Sequence, residues 1–355
     1  MIKTALTYDD IQLVPSFSGV KSRQGIKLHT KLSKNYGILI PIVGSPMDTV
    51  CELDMAKKLA ELGGVGCIHR FLPIEEQADI VNNLHKWIYS ETDLAEKWGV
   101  MYDDWHTEQR MVPIMAAIGV QEDDKDRANS LVMSGANVLL IDVAHGDHQN
   151  VIDMIHWCKK NLPSHVDIIA GNIATADAAE RLQEAGADGL RVGIGGGSLC
   201  TTRIKTGFGV PNVSCLEDVA AVAEVPVMAD GGIRSSGDIS KALAVGADNV
   251  MLGSLLAGTL ESPGQLIEKH ISLYKRYRGS ASLETKTAHG QAERNIEGES
   301  TVIPFKGGVK YIIKGLTDGI RSAFSYAGAS DINHYHPNYV KVTNSGINEA
   351  KPHLL

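Results

Sequence analysis

Residues 193–203 read GIGGGSLCTTR, a glycine-rich turn that ends on a thiol. Glycines there let several backbone N–H groups converge on an anion, and the Ser198 hydroxyl can join them. Cys200 follows directly, with Thr201, Thr202 and Arg203 beside it. A thiol near backbone donors and a cation is readily converted to the nucleophilic thiolate. A lone cysteine is otherwise a small buried hydrophobe, and this turn has neither the Lys-Ser/Thr ending of a P-loop nor a GxGxxG spacing. Two later turns, Asp230-Gly231-Gly232 and Gly253-Ser254, each close an apolar run. Glycines and a hydroxyl suit a phosphate, whereas the Asp230 carboxylate suits ribose hydroxyls; an aspartate that merely caps a turn is the alternative. His145-Gly146-Asp147-His148 crowds metal-type side chains together. It reads as a loop, because a transition-metal site needs convergent ligands that cannot be located here.

Turns of this kind need elements to carry them. Short apolar runs at 38–43, 65–68, 113–118, 138–143, 166–170, 189–192, 226–229 and 249–252 read as eight strands. Amphipathic stretches such as 123–133, 150–160, 177–184 and 236–244 lie between them. Ser134-Gly135-Ala136-Asn137, Ala185-Gly186-Ala187-Asp188 and Val245-Gly246-Ala247-Asp248 form a weak internal repeat, each closing a helix and opening a strand. An open doubly wound sheet gives similar runs. Polar residues and glycines, however, gather at the carboxyl ends of nearly all the strands: His69-Arg70, 142–146, 170–172, 193–198, 230–232 and 253–254. That asymmetry predicts an α/β chain forming a single (β/α)8 barrel over residues 1–355. The polar segment 86–110 reads as a short solvated insertion, 279–304 as a mobile active-site flap, and 345–355 as a loose C-terminal tail.

Composition narrows the function classes. The net charge of −8 argues against a general nucleic-acid binder, which needs a basic surface. No apolar run approaches the ~20 residues of a membrane span, and the N-terminus lacks a secretory layout. Five cysteines with no CxxC pair argue against a disulfide framework and fit a reducing cytoplasm.

Long motifs then match a known family. Ser45-Pro46-Met47-Asp48-Thr49-Val50, the 193–203 loop, 229–233, 251–257 and Tyr326-Ala327-Gly328 resemble the IMP dehydrogenases and GMP reductases, and the likeness runs from Tyr8 to Val342. Gly196 departs from the family's usual Pro, which puts the rigidity of the loop in doubt. Both branches attack purine C2 with the cysteine and move a hydride between C2 and a nicotinamide. Dehydrogenases then hydrolyse the adduct with an Arg-Tyr pair on the flap. Here the flap has Glu293-Arg294-Asn295 instead, and the regulatory insertion is missing. His69-Arg70-Phe71, 205–209 and 279–282 resemble bacterial GMP reductases, while 258–261 and Tyr277-Arg278-Gly279 look more like dehydrogenases. The resemblance therefore implies NADPH-dependent reductive deamination of GMP to IMP, with IMP oxidation to XMP by NAD as the alternative.

The resemblance also distributes roles. Cys200, Thr202 and Glu297 would be catalytic. Ser198, Gly232, Gly253 and Ser254 would hold the 5′-phosphate and Asp230 the ribose, with Ser45, Met47, Gly231 and Tyr277 around them. Gly279, Ser280, Ala281, Arg294, Asn295, Ile296 and Gly298 would frame the base. Arg70, Asp142, Val143, Ala144, Ile194 and Gly195 would hold the nicotinamide, and Ser22-Arg23 would reach the NADPH of a neighbouring subunit in a homotetramer. Carbonyls of Gly195, Gly197 and Cys200 match a potassium loop.

Overall fold

The structure, a computed structural model, describes residues 2–91, 94, 97–98, 112–288 and 296–349. Eight parallel strands close into a barrel: β1 (Ile42–Gly44), β2 (Val65–Ile68), β3 (Met115–Ile118), β4 (Val138–Asp142), β5 (Asp167–Ile173), β6 (Gly189–Val192), β7 (Val227–Asp230) and β8 (Asn249–Leu252). β8 returns to β1 through Val250–Ile42 and Met251–Val43 pairing. Side chains on both faces of the strands are buried, which is why the strands read as continuous apolar runs rather than alternating ones.

Helices cover the outside: α1 (Leu53–Leu62), α2 (Ile74–Ser90), α3 (Asp123–Met133), α4 (Gln149–Asn161), α5 (Ala176–Glu184), α6 (Asn212–Ala220), α7 (Ser236–Ala244) and α8 (Val309–Ala327). Thr175 and Ser235 cap α5 and α7 by accepting from the N–H groups of Ala178 and Asp238. The repeat seen in the sequence is one αβ turn used three times: Gly135, Gly186 and Gly246 all take φ near +105°, at +105°, +102° and +114°. α8 packs against α7 and α1, completing the ring.

Between β8 and α8 lies a three-stranded antiparallel sheet, β9 (Ile267–Lys269), β10 (Ser272–Arg278) and β11 (Ser300–Pro304). Arg278 ties it to the loop after β1 through Asp48, at 2.9 Å from Nε, and through Thr49, which accepts from the Arg278 N–H at 3.2 Å.

Several expectations shift. The first strand begins at Ile42 rather than 38, because Gly37–Ile38 pairs antiparallel with Thr30–Lys31 outside the barrel. Residues 86–90 finish α2, and Leu94 and Trp98 are buried, with the Trp98 indole N–H donating to the Ala60 carbonyl. At Leu94 and Trp98 the segment is therefore not solvated; 92–93, 95–96 and 99–111 lie outside the described residues. The last five residues of the 279–304 segment form the strand β11, and Asn344–Glu349 is helical rather than loose. Among the described residues no helix is long and apolar enough to cross a membrane.

Candidate active site

A cavity of about 1020 Å3 opens at the carboxyl ends of the strands. Cys200 stands on its wall and is the only one of the five cysteines that is not buried. Burial pushes the thiols of Cys158 and Cys215 up to about 12 and raises those of Cys51 and Cys67 well above the ordinary range. The Cys200 S–H lies 3.2 Å from Thr202 Oγ1, which in turn donates to Glu297 Oε2 at 2.7 Å. A thiol, a hydroxyl and a carboxylate thus form one continuous hydrogen-bonded chain across two loops 95 residues apart.

Backbone bonds fasten those loops together. Thr201 N–H donates to the Glu297 carbonyl at 2.9 Å, Glu299 N–H to Leu199 at 3.0 Å, and Glu297 N–H to Ala281 at 3.1 Å. Gly298 is the crossing point, bridged to both Cys200 and Ser282. The Arg203 guanidinium is not directed at the thiol: it donates to the Val210 carbonyl at 2.9 Å, and its stem packs between Gly195 and Gly209.

One part of the cavity wall is made of hydroxyls and glycines. Ser198 Oγ lies 2.9 Å from the Tyr277 hydroxyl, whose pKa burial raises, so the phenol keeps its proton. A Cβ at Gly253 would come within 3.3 Å of Met47 Sδ and 3.4 Å of that hydroxyl, so glycine there keeps the space open. Gly231 and Gly232 take φ of +91° and +74°, a conformation that costs other residues strain.

Another part of the wall is polar and largely buried. The Arg191 guanidinium lies between Asp230, at 3.0 Å from Nε, and Asp142, to which Nη1 donates. Burial works against its charge, but the carboxylates of Asp230 and Asp142 outweigh that and raise its pKa. Asn172 donates to the same Asp230 oxygen at 2.8 Å. Both bonds fall on Oδ2, so Oδ1 retains acceptor capacity. Arg70 donates to the Asp142 carbonyl at 3.2 Å.

The cavity therefore gathers Cys200, Thr202 and Glu297, together with Ser45, Met47, Ser198, 230–232, Gly253, Ser254, Tyr277, 279–281, Gly298, Arg70, 142–144, 194–195 and Gly197. Ile296 does not line it, and Arg294 and Asn295 lie outside the described residues. Ser22 and Arg23 are elsewhere: Arg23 donates to Ser322 at 3.0 Å beside a second cavity. Asp147 is held by Arg181 and His148 caps α4, so both are spent on structure. Sequence reasoning missed Arg191, Asn172, Asn212 and Tyr8, all of which line the cavity. The available signal was an arginine inside the apolar run Gly189–Val192, since a buried charge has to be paired.

Residues 5–353 match the family described as the IMP dehydrogenase / GMP reductase domain. The chain belongs to that family. Among its relatives, an inosine-5′-monophosphate dehydrogenase of Cryptosporidium parvum is 38% identical, the match covering 99% of this chain and 96% of that protein. A GMP reductase of Leishmania donovani is 34% identical over 98% of this chain and 96% of that protein. A solved structure of Trypanosoma brucei GMP reductase in complex with guanosine 5′-monophosphate superposes with a TM-score of 0.89 at 32% identity, covering 100% of this chain and 98% of that one. The chain is thus an oxidoreductase of purine nucleotide metabolism with a (β/α)8 barrel fold.

Proposed function

We propose that this member of the family is an NADPH-dependent GMP reductase, releasing ammonia from GMP to give IMP. The observation that carries the reading is the Cys200–Thr202–Glu297 chain. The thiol proton can pass through Thr202 to Glu297, and the thiolate adds to C2 of the purine. The same carboxyl then returns a proton to the exocyclic amine, which leaves as ammonia and turns the adduct into a thioimidate on Cys200. NADPH, when bound, brings the hydride that ends at C2. Loss of the thiolate gives IMP, so that GMP, NADPH and one proton become IMP, NADP and ammonia.

The residues in hand fit such a cofactor: Arg70, Asp142, Val143, Ala144, Ile194 and Gly195 line the same cavity as Cys200. Gly195, Gly197 and Cys200 offer the carbonyl oxygens a potassium ion requires. The Gly197 carbonyl already accepts from the Cys200 N–H at 3.1 Å and keeps one lone pair for an ion. Ser22 and Arg23 would serve a neighbouring copy in a homotetramer, and a cytoplasmic setting suits the free thiols.

IMP oxidation by NAD is the second reading, favoured by the identity to the Cryptosporidium enzyme. Against it, 279–297 contains no Arg-Tyr pair for activating water. Parallel assays decide: ammonia and oxidised cofactor from GMP with NADPH are expected. Reduced cofactor from IMP with NAD, and no ammonia from GMP, would reject the reductase.

A further inference from the structure

Gly196 holds a position where backbone conformation does not demand glycine, because its φ is outside the left-handed region. What excludes a side chain is Asn212. A Cβ at 196 would meet Asn212 Oδ1 at 2.6 Å and Nδ2 at 2.9 Å. The amide cannot swing aside at little cost. It is buried, and Nδ2 donates to the carbonyl of Gly231 and, at 3.3 Å, to that of Asp230. Two carbonyls can only accept, so the amide orientation is set and Oδ1 is turned the other way. Oδ1 has no hydrogen-bond partner among the described residues, and neither does the Tyr8 hydroxyl, which lies near the amide.

The two loops also touch directly. A Cβ at Gly231 would come within 2.9 Å of the Gly196 carbonyl carbon and 3.0 Å of the Gly197 nitrogen. The turn after β6 and the turn after β7 are therefore pressed backbone to backbone, with the Asn212 amide bonded to one and packed under the other. Ser198 is carried by the first turn and Gly232 by the second.

We propose that Asn212 is the positioning residue of the phosphate site, an amide wedge that sets the separation of Ser198 and Gly232 and stiffens the glycine loop. It touches neither the reacting atoms nor Cys200. Gly196 is then required by the wedge and is not a source of slack. The proposal rests on the nucleotide reading of this cavity.

The test is a double-substitution cycle read by binding of GMP and of guanosine, which lacks the phosphate. Gly196→Ala should weaken GMP about tenfold, the effect of one methyl forced into a packed site. Guanosine should change by less than about twofold, the scatter of independent sites. Asn212→Ala should weaken GMP as well, through loss of both carbonyl bonds. Gly196→Ala/Asn212→Ala should bind GMP no worse than Asn212→Ala, because the clash disappears with the amide. In turnover, Gly196→Ala should raise KM for GMP with kcat little changed.

Wild-type GMP affinity in Gly196→Ala, equal weakening of GMP and guanosine, or a double variant showing the product of the two single effects would each overturn the wedge. Should Gly196→Ala fail to fold, recovery of folded protein in the double variant carries the same conclusion, and an unfolded double variant overturns it. Absence of GMP binding by the unsubstituted protein rejects the nucleotide reading itself, and the wedge with it.

Discussion

Cys200 differs from the other four cysteines in surroundings rather than in chemistry. At pH 8 a thiol with a pKa of about 12, as at Cys158 and Cys215, is ionised to about one part in ten thousand. Burial also denies a reagent access to it. Iodoacetamide at that pH is expected to modify Cys200 first, and GMP is expected to protect it; peptide mapping that finds another cysteine labelled first would contradict the assignment. Thr202 and Glu297 act behind the thiol as one relay. Glu297→Gln and Thr202→Ala should each lower kcat by about 10²–10⁴-fold, the usual span for a positioned acid or base. The double variant should be no worse than the poorer single one, since members of a unit do not add. A multiplicative loss in steady-state turnover would mean that the two residues do not share a proton path.

At the scale of elements, the relay exists because the segment leading into β11 brings Glu297 to the loop after β6. Gly298 makes that delivery possible: a Cβ there would lie 3.0 Å from the Ser282 nitrogen and 3.2 Å from the Ala281 carbonyl carbon, both backbone atoms. Gly298→Val should push the Glu297 carboxylate off Thr202 and lower kcat by about a hundredfold, as misplacement by an ångström does. The barrel should stay folded, so an unchanged circular dichroism spectrum with unchanged turnover would refute the role given to the crossing.

These elements were unequally legible. Strands buried on both faces and a glycine repeated at the same αβ turn made six of the eight barrel strands, β2 to β8 except β5, readable to within a residue or two, and the four helical stretches named to within one. β1 slid because a short antiparallel pair borrowed the apolar residues before Pro41. Cys200 and the glycine turns that line the cavity were legible because glycine and hydroxyl residues cluster there. Arg191, Asn172 and Asn212 were not, since each works by bridging loops that only the closed barrel brings together.

The whole molecule leaves one expected contact unmade. Arg23 is exposed, lies 5.8 Å from the Tyr326 ring centroid, and borders a cavity of about 350 Å3 with Gln24, Asp318, Arg321 and Ser322, none of which lines the cavity holding Cys200. If Arg23 serves the cofactor, it does so for another copy of the chain, and a site then draws residues from two subunits. Mixing two variants, one weak for the cofactor and one without the thiol, separates this from a site made by one subunit. Arg23→Ala should raise KM for NADPH severalfold and leave KM for GMP alone, because a guanidinium facing a phosphate is a charge-assisted contact. Cys200→Ala should be inactive. After the two are unfolded and refolded together in equal amounts, about a quarter of the sites in a closed ring would pair an intact Cys200 with an intact Arg23 from the neighbour. That fraction should turn over with the wild-type KM for NADPH. If each site were complete within one chain, no mixed ring could hold both intact residues in one site, and the only activity left would show the raised KM of Arg23→Ala.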